Sequence, residues 1–410
     1  MRRNRRAALL CVAVFIAAIL QVTALAPAPS APGEGRPCVS SPKPRGGPAR
    51  EVLDIAQRAR SEMGLNSVVL RVTRDGDDVL TTALGESMTG VPATPGMHFR
   101  AGSVAIVYMG MTLLQLVDEK KARLDDPVSR WLPDAPHADE ITLRMLGDST
   151  SGLHDYVTDP KFLAELEAAP FRHWTPEELV AFPAAHPLWY EPGTSFSYSH
   201  ANFVLLGAAL EKISGTPLDK LLEQRVMDPL GLSNTRNYAT PEIQQPVLHA
   251  FTSERGRYEE STFWNPSWTT APGAVITTHI CDLARSAQAV GTGELLSPAA
   301  YRTQLDPGTV GLGGATKTCP ATVCLKNTAA MHFGLGVLVL NGWIVTNPSF
   351  SGYAAIQAYL PAERLAVAVT TTKGPKTPDG NTAEIIASRI AAALAPGHPL
   401  PAVTPASPSR

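Results

Sequence analysis

Three residues have the types and spacing needed for nucleophilic catalysis, but their expected partner is missing. Ser103 stands near the start of an apolar stretch in residues 98–110 (HFRAGSVAIVYMG), where a helix N-terminus would present its hydroxyl. A serine needs an adjacent base to attack a carbonyl, and the residue three positions later lies on the same helix face. That residue is Ile106, which offers no base. Tyr198 and His200, within Tyr-Ser-His, are the other two residues able to move a proton.

The elements that must position these side chains are strands at both ends of the chain and helices between them. Residues 67–85 form two alternating runs around a turn at 75–78, which predicts a hairpin. Residues 332–347 and 353–372 predict further strands, followed by a helix capped by Asn381. This order predicts an α/β chain of the α+β type, with an antiparallel sheet formed from both termini and an inserted helical region.

Composition and charge narrow the function classes. The chain has 410 residues, of which 44% are hydrophobic and 18% charged, and its net charge is −2. Phosphate binding needs clustered Lys and Arg, and none occurs beyond the N-terminus, so we expect no nucleic-acid partner. The chain has neither a Gly-rich phosphate loop after a strand nor metal-ligand spacing, so we expect no cofactor and no metal.

The chain ends predict export. Residues 1–26 combine four arginines with an apolar run and read as a signal peptide or a membrane anchor. Residues 27–49 are a Pro-rich linker, residues 50–395 a single domain, and residues 396–410 a disordered Pro-rich tail. We therefore expect a protein of the extracellular space or the cell envelope, with membrane attachment through residues 7–26 left open.

Two cysteines bracket the short stretch CPATVC. In an oxidising compartment Cys319 and Cys324 would close a small disulfide loop. Free thiols are the second interpretation. Metal ligation is the third, and it lacks a second His or Cys pair nearby in the sequence.

Six stretches occur in the order typical of one family, so the chain resembles the penicillin-recognising serine hydrolases. This family includes class C β-lactamases, D-alanyl-D-alanine carboxypeptidases and related esterases. The stretches are FRAGSV, RLDDPVSRWLP, ITLRMLGDSTSGLHDY, EPGTSFSYSHANFVLLGAALEKISG, CDLARSAQAV with ELLSP, and YLPAERLAV. The resemblance implies a β-lactamase/transpeptidase-like fold over nearly all of residues 50–395, with Ser103 in the position of the nucleophile.

Each catalytic element of the family is altered here. The lysine one turn after the serine is Ile106, and the Asn of the Tyr-x-Asn loop is His200, although Tyr198 is kept. The Lys/His-x-Gly strand reads Thr346-Asn347-Pro348, in which the proline removes a strand N–H.

A further pocket motif is also changed. The family's His-Thr-Ser-Gly begins here with Ser149, and Trp264 belongs to an irregular aromatic segment that we assign to the pocket. The predicted pocket lining is therefore Ile106, Ser149, Thr346, Asn347, Pro348 and Trp264.

These losses favour a pseudoenzyme that binds a ligand, or acts in the envelope, without acyl transfer. The ligand would be a small molecule or peptide-like, such as a peptidoglycan stem peptide, and Ser103 would persist as a helix N-cap. The alternative is a rewired serine hydrolase, esterase- or peptidase-like, in which His200 or Tyr198 is the base for Ser103. Asp148 or Asp155 would then orient His200.

Overall fold

A computed structural model describes residues 37–237 and 240–402 of the protein. The predicted signal or anchor, residues 1–26, lies outside these ranges, as do linker residues 27–36 and tail residues 403–410. Within them, no helix combines the length and apolarity needed to cross a membrane.

The described part of the chain contains α-helices and β-strands in the predicted order. The helices are α1 (Gly47–Glu62), α2 (Val104–Asp118), α3 (Leu143–Gly147), α4 (Pro160–Ala168), α5 (Pro176–Ala184), α6 (His200–Ser214), α7 (Leu218–Leu222), α8 (Ile280–Thr292), α9 (Pro298–Leu305) and α10 (Thr382–Leu394). The strands are β1 (Ser67–Arg74), β2 (Asp77–Met88), β3 (Val91–Pro92), β4 (Phe99–Arg100), β5 (Arg236–Asn237), β6 (Phe251–Thr252), β7 (Glu259–Glu260), β8 (Ile276–Thr278), β9 (Met331–Phe333), β10 (Leu338–Leu340), β11 (Trp343–Thr346), β12 (Ser349–Phe350), β13 (Tyr353–Leu360) and β14 (Leu365–Thr372).

The large sheet has nine strands, and both ends of the chain contribute to it. Its order is β3-β2-β1-β14-β13-β11-β10-β9, and β12 pairs with β13. All pairs are antiparallel, and β1 meets β14 with Ser67 opposite Thr372. The prediction of an antiparallel sheet built from both termini is therefore confirmed, as is the helical region inserted between them.

The two faces of this sheet enclose separate cores, because successive side chains of a strand point to opposite faces. Val68 and Leu70 pack in the core that contains α1 and α10. Val69 packs in the core that contains α2 and the inserted helices. The predicted Asn381 cap is confirmed, since its side chain accepts hydrogen bonds from the N–H groups of Ala383 and Glu384.

Helix α2 lies inside the second core. Every residue from Val104 to Leu114 is buried, in keeping with the apolar stretch that surrounds Ser103. A three-stranded sheet in the order β4-β8-β5 leads the chain into this helix. The start of α2 is therefore held by a small sheet on one side and by apolar packing on the other.

The linker prediction is wrong for residues 37–49. Helix α1 begins at Gly47, and Cys38 forms a disulfide with Cys281, 243 positions along the chain. The N–H of Ser41 donates to the carbonyl of Thr81 at 2.8 Å. These bonds attach the Pro-rich segment to the domain, and composition alone does not reveal them.

The prediction of a disordered tail is wrong for residues 396–402. Trp343 Nε1 donates to the carbonyl of His398 at 2.9 Å, and the Asn341 amide donates to that of Pro399 at 3.0 Å. Leu400 is only 3% exposed. Prolines lack an N–H but keep their carbonyls, so a Pro-rich strip can still be held by donors of the sheet.

Candidate functional site

Ser103 lies in a turn between the small sheet and α2. Phe99 of β4 pairs with Thr278 of β8, and the N–H of Ala101 donates to the carbonyl of Ile276 at 3.0 Å. Ser103 precedes the first helical residue, Val104, and is half-buried, but its side chain makes no cap hydrogen bond. The expectation that Ser103 persists as a side-chain N-cap is therefore wrong, and its hydroxyl is available for another contact.

The Ser103 hydroxyl interacts electrostatically with the phenol of Tyr198. Burial and the charge of Asp155 raise the pKa of the Tyr198 phenol, and a hydrogen bond with the Ser103 side chain opposes this rise. The Tyr198 ring lies 5.8 Å from the Phe203 ring and 5.8 Å from the Phe333 ring. With a pKa above its ordinary value, the phenol stays protonated at neutral pH and is a poor base.

His200 is held by Asp155, the second of the two carboxylates proposed from the sequence. Its Nδ1 lies 3.0 Å from both carboxylate oxygens, and its backbone N–H donates to the same carboxylate at 3.1 Å. The Tyr198 ring meets the His200 ring edge-on at 5.1 Å. A neutral imidazole that donates from Nδ1 to a carboxylate presents its lone pair at Nε2, so the pair has the composition of a base and its orienting group.

Asp148, the other proposed partner, serves a different contact. Its carboxylate accepts from both the N–H and the hydroxyl of Thr150, at 3.1 and 2.6 Å. Burial raises the pKa of Asp148 to about 7. It is thus a buried structural carboxylate of the turn after α3.

Ile106 occupies the position of the family lysine and is only 3% exposed. The backbone there is tightly packed, because a side chain at Gly336 would come within 2.5 Å of the Ile106 carbonyl. The first turn of α2 therefore places an aliphatic side chain, with no titratable group, one turn after Ser103.

Residues 346–348 do not act as one wall of the site. Thr346 shares a strand face with Ile344, on the side of α2, and its buried hydroxyl has no partner among the described residues. The amide of Asn347 instead donates to Glu384 of α10, on the opposite face. Pro348 lies beside the Ser103 turn, since its Cβ would be 3.8 Å from a side chain added at Gly102. Only Asn347 is thus turned away from the predicted pocket.

Ser149 and Trp264, also predicted to line the pocket, are packed in the interior. Ser149 is fully buried, and its hydroxyl accepts from the Asn202 amide at 3.4 Å. Trp264 is 6% exposed and belongs to the core around α2, with the Arg255 guanidinium 5.8 Å from its ring. Neither offers an open surface to a ligand.

The described residues contain two disulfides. Cys319 pairs with Cys324, the first of the three interpretations left open by the sequence. The hydroxyl of Thr318 donates to the carbonyl of Trp189 at 2.7 Å, so this loop touches the segment that precedes Tyr198. The Cys38–Cys281 pair was missed. The number of cysteines could have indicated it. Four cysteines, an even number, lie outside the N-terminal apolar run.

No metal site accompanies this arrangement in the described residues, where no cluster of three or more His, Cys, Asp or Glu could hold an ion. The nucleophilic and titratable side chains described above are those of Ser103, Tyr198, His200 and Asp155.

A model of the family described as Beta-lactamase matches residues 54–391. The chain therefore belongs to the β-lactamase family, in agreement with its antiparallel sheet and inserted helices.

Curated relatives match part of their own length. Esterase EstB of Burkholderia gladioli is 30% identical over 194 residues, which are 44% of this chain and 48% of EstB. Protein Rv1367c of Mycobacterium tuberculosis (strain ATCC 25618 / H37Rv) is 29% identical over 174 residues, 38% of this chain and 43% of that protein. The chain spans less than two thirds of the curated relatives that it matches, between 43% and 62% in these and similar alignments.

Solved structures match over nearly their whole length. A D-stereospecific amidohydrolase from Streptomyces sp. is 25% identical with a TM-score of 0.69, covering 85% of this chain and 99% of that chain. The D-amino acid amidase of Ochrobactrum anthropi SV3, complexed with L-phenylalanine amide, is 20% identical with a TM-score of 0.70 and the same coverage. The second likeness shows the fold alone.

Proposed function

We propose that this chain is an exported β-lactamase-family protein that binds a small-molecule or peptide-like ligand at Ser103 without the Ser-x-x-Lys acyl transfer. The observation that carries this proposal is Ile106, 3% exposed, one turn after Ser103. A serine hydroxyl depends on an adjacent base. The Tyr198 hydroxyl contacts Ser103 but has a raised pKa, so it does not replace the missing amine.

The expected loss of rate is large. General acid–base help contributes about 10²- to 10⁴-fold, and the members of one catalytic unit act together. Removing the amine therefore removes most of the serine's reactivity and leaves a site suited to reversible binding.

The ligand class follows from chemistry shared by similar proteins. Their names include an esterase, a D-stereospecific amidohydrolase and D-alanyl-D-alanine carboxypeptidases. Esters and amides, the bonds that these names refer to, share a carbonyl group. We infer a peptide-like ligand with such a carbonyl, for which a peptidoglycan stem peptide is the first choice.

Calorimetry with a peptide ending in D-alanyl-D-alanine tests the binding. The wild type and Ser103→Ala should bind it alike, because the serine is not a nucleophile, whereas Ser103→Trp should block the pocket and abolish binding. Intact-mass analysis after incubation with a β-lactam should show no adduct. A Ser103 adduct that forms at the rate of an active family member, or equal binding by Ser103→Trp, would refute the proposal.

A second function is favoured by the Asp155–His200 pair, in which Nδ1 lies 3.0 Å from the carboxylate. In a rewired hydrolase, Ser103 Oγ attacks an ester carbonyl while its proton passes to His200 Nε2. The alcohol leaves with that proton, and water then releases the acid by the same exchange. A fluorophosphonate probe should in that case label the protein, and Ser103→Ala should abolish the labelling. Asp155→Asn should slow it by about 10²-fold or more.

Export is supported by the two disulfides, because such bonds persist in oxidising compartments and are rare in reducing ones. Whether residues 7–26 are cleaved or anchor the protein is decided by N-terminal sequencing of the protein recovered from the producing cell. Removal at or near residue 26 would support secretion, and an intact N-terminus in the membrane fraction would support anchoring.

A further inference from the structure

All three strands of the small sheet end at one buried cluster of titratable side chains. His98 directly precedes β4, His279 directly follows β8, and Thr235 directly precedes β5. His98, His279 and Asp282 are 4%, 5% and 8% exposed. We call these three residues the histidine clasp.

The two imidazoles of the clasp are stacked, with ring centroids 5.7 Å apart and planes 13° apart. His98 Nδ1 lies 3.2 Å from the carbonyl of Pro246. The backbone of His98 is also paired, since its N–H donates to Pro246 at 2.7 Å and its carbonyl accepts from Leu248 at 2.9 Å. His98 thus joins β4 to the loop at 246–248.

The carboxylate joins the third strand to the cluster. Asp282 Oδ2 accepts from the N–H of Asn234 at 2.8 Å and from the hydroxyl of Thr235 at 3.1 Å. The N–H of Asp282 donates to His279 Nδ1 at 3.2 Å, so a neutral His279 caps α8. Protonation of that nitrogen removes the cap.

Strand β4 connects the clasp to Ser103. It has only two residues, and Ser103 follows three residues after its end. Such a short strand offers few ladder hydrogen bonds, so its position depends on what holds its ends. The beginning of β4 is held by His98.

We propose that the histidine clasp is an acid-sensitive device that holds the Ser103 turn at neutral pH and loosens it when the pH falls. Protonation of both stacked imidazoles places two like charges in a buried cluster, with only one carboxylate to compensate. Because that charge arises at the ends of β4 and β8, the small sheet opens there, and the Ser103 turn loses its support.

The pKa values agree in direction with this device. Burial lowers the pKa of His98 and of His279 from the ordinary 6.5, and the positive charge of His279 lowers that of His98 further. A base with a lowered pKa contributes stability that is full above pH 6.5 and is lost as the pH falls below it. Burial raises the pKa of Asp282, so its proton uptake offsets part of this loss.

The hydrogen bonds of His98 with the Pro246 carbonyl and the Asn234 side chain oppose the lowering of its pKa. The titratable groups on neighbouring elements do not oppose it. Arg71 of β1 lowers the pKa of His279 by its positive charge. Tyr108 of α2 faces Asp282, and its pKa is raised well above 10, so it stays neutral. Cys281 is held in the disulfide with Cys38 and does not titrate.

Hydrogen exchange on the full folded protein tests the proposal. After correction for intrinsic rates, the opening of residues 98–103 should increase about tenfold for each pH unit between about pH 6.5 and pH 5. Residues 365–372 of β14, in the large sheet, should change less. His98→Gln keeps a donor for Pro246 and should flatten the pH dependence, and His137→Gln, at an exposed histidine, is the matched control.

A second variant protects the test against a folding failure. Asn is a good N-cap, so His279→Asn keeps an acceptor for the N–H of Asp282 but removes the titrating group. It should also flatten the pH dependence. The proposal would be overturned by equal protection of residues 98–103 at about pH 6.5 and pH 5. An unchanged pH dependence in both variants would also overturn it. Because the readout uses no ligand, its outcome is separate from that of the proposed binding function.

Discussion

The two helices that meet at the site begin in opposite ways. The first turn of α2 carries Ser103 and Ile106, which is aliphatic and buried. The first turn of α6 carries His200, whose ring and N–H both bond to Asp155. The imidazole able to accept a proton is therefore at the start of α6, whereas the helix that follows Ser103 begins with buried aliphatic side chains. The difference teaches that the side chains of a base and its orienting carboxylate lie at the start of α6 and not one turn after Ser103.

The largest effect should come from returning the lysine. Ile106→Lys places an ammonium at a position that is only 3% exposed, and burying a charge there costs several kcal/mol. We expect a loss of about 3 kcal/mol or more in the free energy of unfolding, measured by urea denaturation. Ile106→Met conserves volume and should cost less than about 1.5 kcal/mol. A stable Ile106→Lys protein that is acylated by a β-lactam would break the contrast between the two helices.

The second-largest effect should come from Asp155, which holds His200 at the start of α6. Asp155→Asn replaces a carboxylate that accepts from the ring and the N–H of His200 and from the N–H of Val157. Hydrogen bonds to charged groups contribute about 1.5–3 kcal/mol, so we expect a loss of about 2 kcal/mol in urea. Glu140→Gln, at an exposed carboxylate, is the control. A loss no larger than that of the control would mean that α6 is not held by this pair.

The third prediction concerns Asp148, a carboxylate whose pKa is shifted chiefly by burial. Burial raises the pKa of Asp148 to about 7, well above its ordinary 3.8, so the folded protein keeps a proton that the unfolded chain has lost. The free energy of unfolding should therefore decrease as the pH rises from about 4 to about 7, by at most about 1.4 kcal/mol per pH unit. Asp148→Asn should remove this slope in thermal unfolding across the same range. An unchanged slope would assign it to other groups.

The smallest effect should come from the interaction of Ser103, which precedes α2, with Tyr198, which precedes α6. Tyr198→Phe removes the hydroxyl that contacts Ser103 and keeps the ring that packs on Phe203 and Phe333. A typical intramolecular hydrogen bond contributes about 1 kcal/mol, and we expect that loss in urea. Ser103→Ala should cost a similar amount, and the double variant should cost little more than either single one. Full additivity would show that the two hydroxyls do not act together.

Much of the fold could be predicted because its signals are local. The hairpin in residues 67–85 and the cap at Asn381 each depend on spacing within a few residues, and both are present in the structure. The buried helix after Ser103 agrees with its largely apolar sequence. The predicted boundaries of the domain were wrong, because a Pro-rich composition does not reveal a disulfide to Cys281 or a hydrogen bond from Trp343.

The site was predicted in part. Asp155 was one of two carboxylates considered for His200, and the structure pairs it with that ring. The catalytic roles of Ser103, Tyr198 and His200 stay predictions. Choosing between Asp155 and Asp148 needed the structure, because both lie within the same stretch and only their contacts, with His200 and with Thr150, separate them. Asn347 was misassigned for the related reason that alternation along β11 turns it toward α10.

The sequence by itself determined the family, the antiparallel sheet and the absence of a base at position 106, because each depends on residue identity or short-range order. Only the tertiary structure decided that Asp155 meets His200, that Cys38 meets Cys281 and that three strand ends converge on His98, His279 and Asp282. These contacts join residues 45, 243 and 181 positions apart, the last being the separation of His98 and His279 (279 − 98). Such distant pairs are brought together by packing of the whole sheet and its helices, which no local pattern encodes.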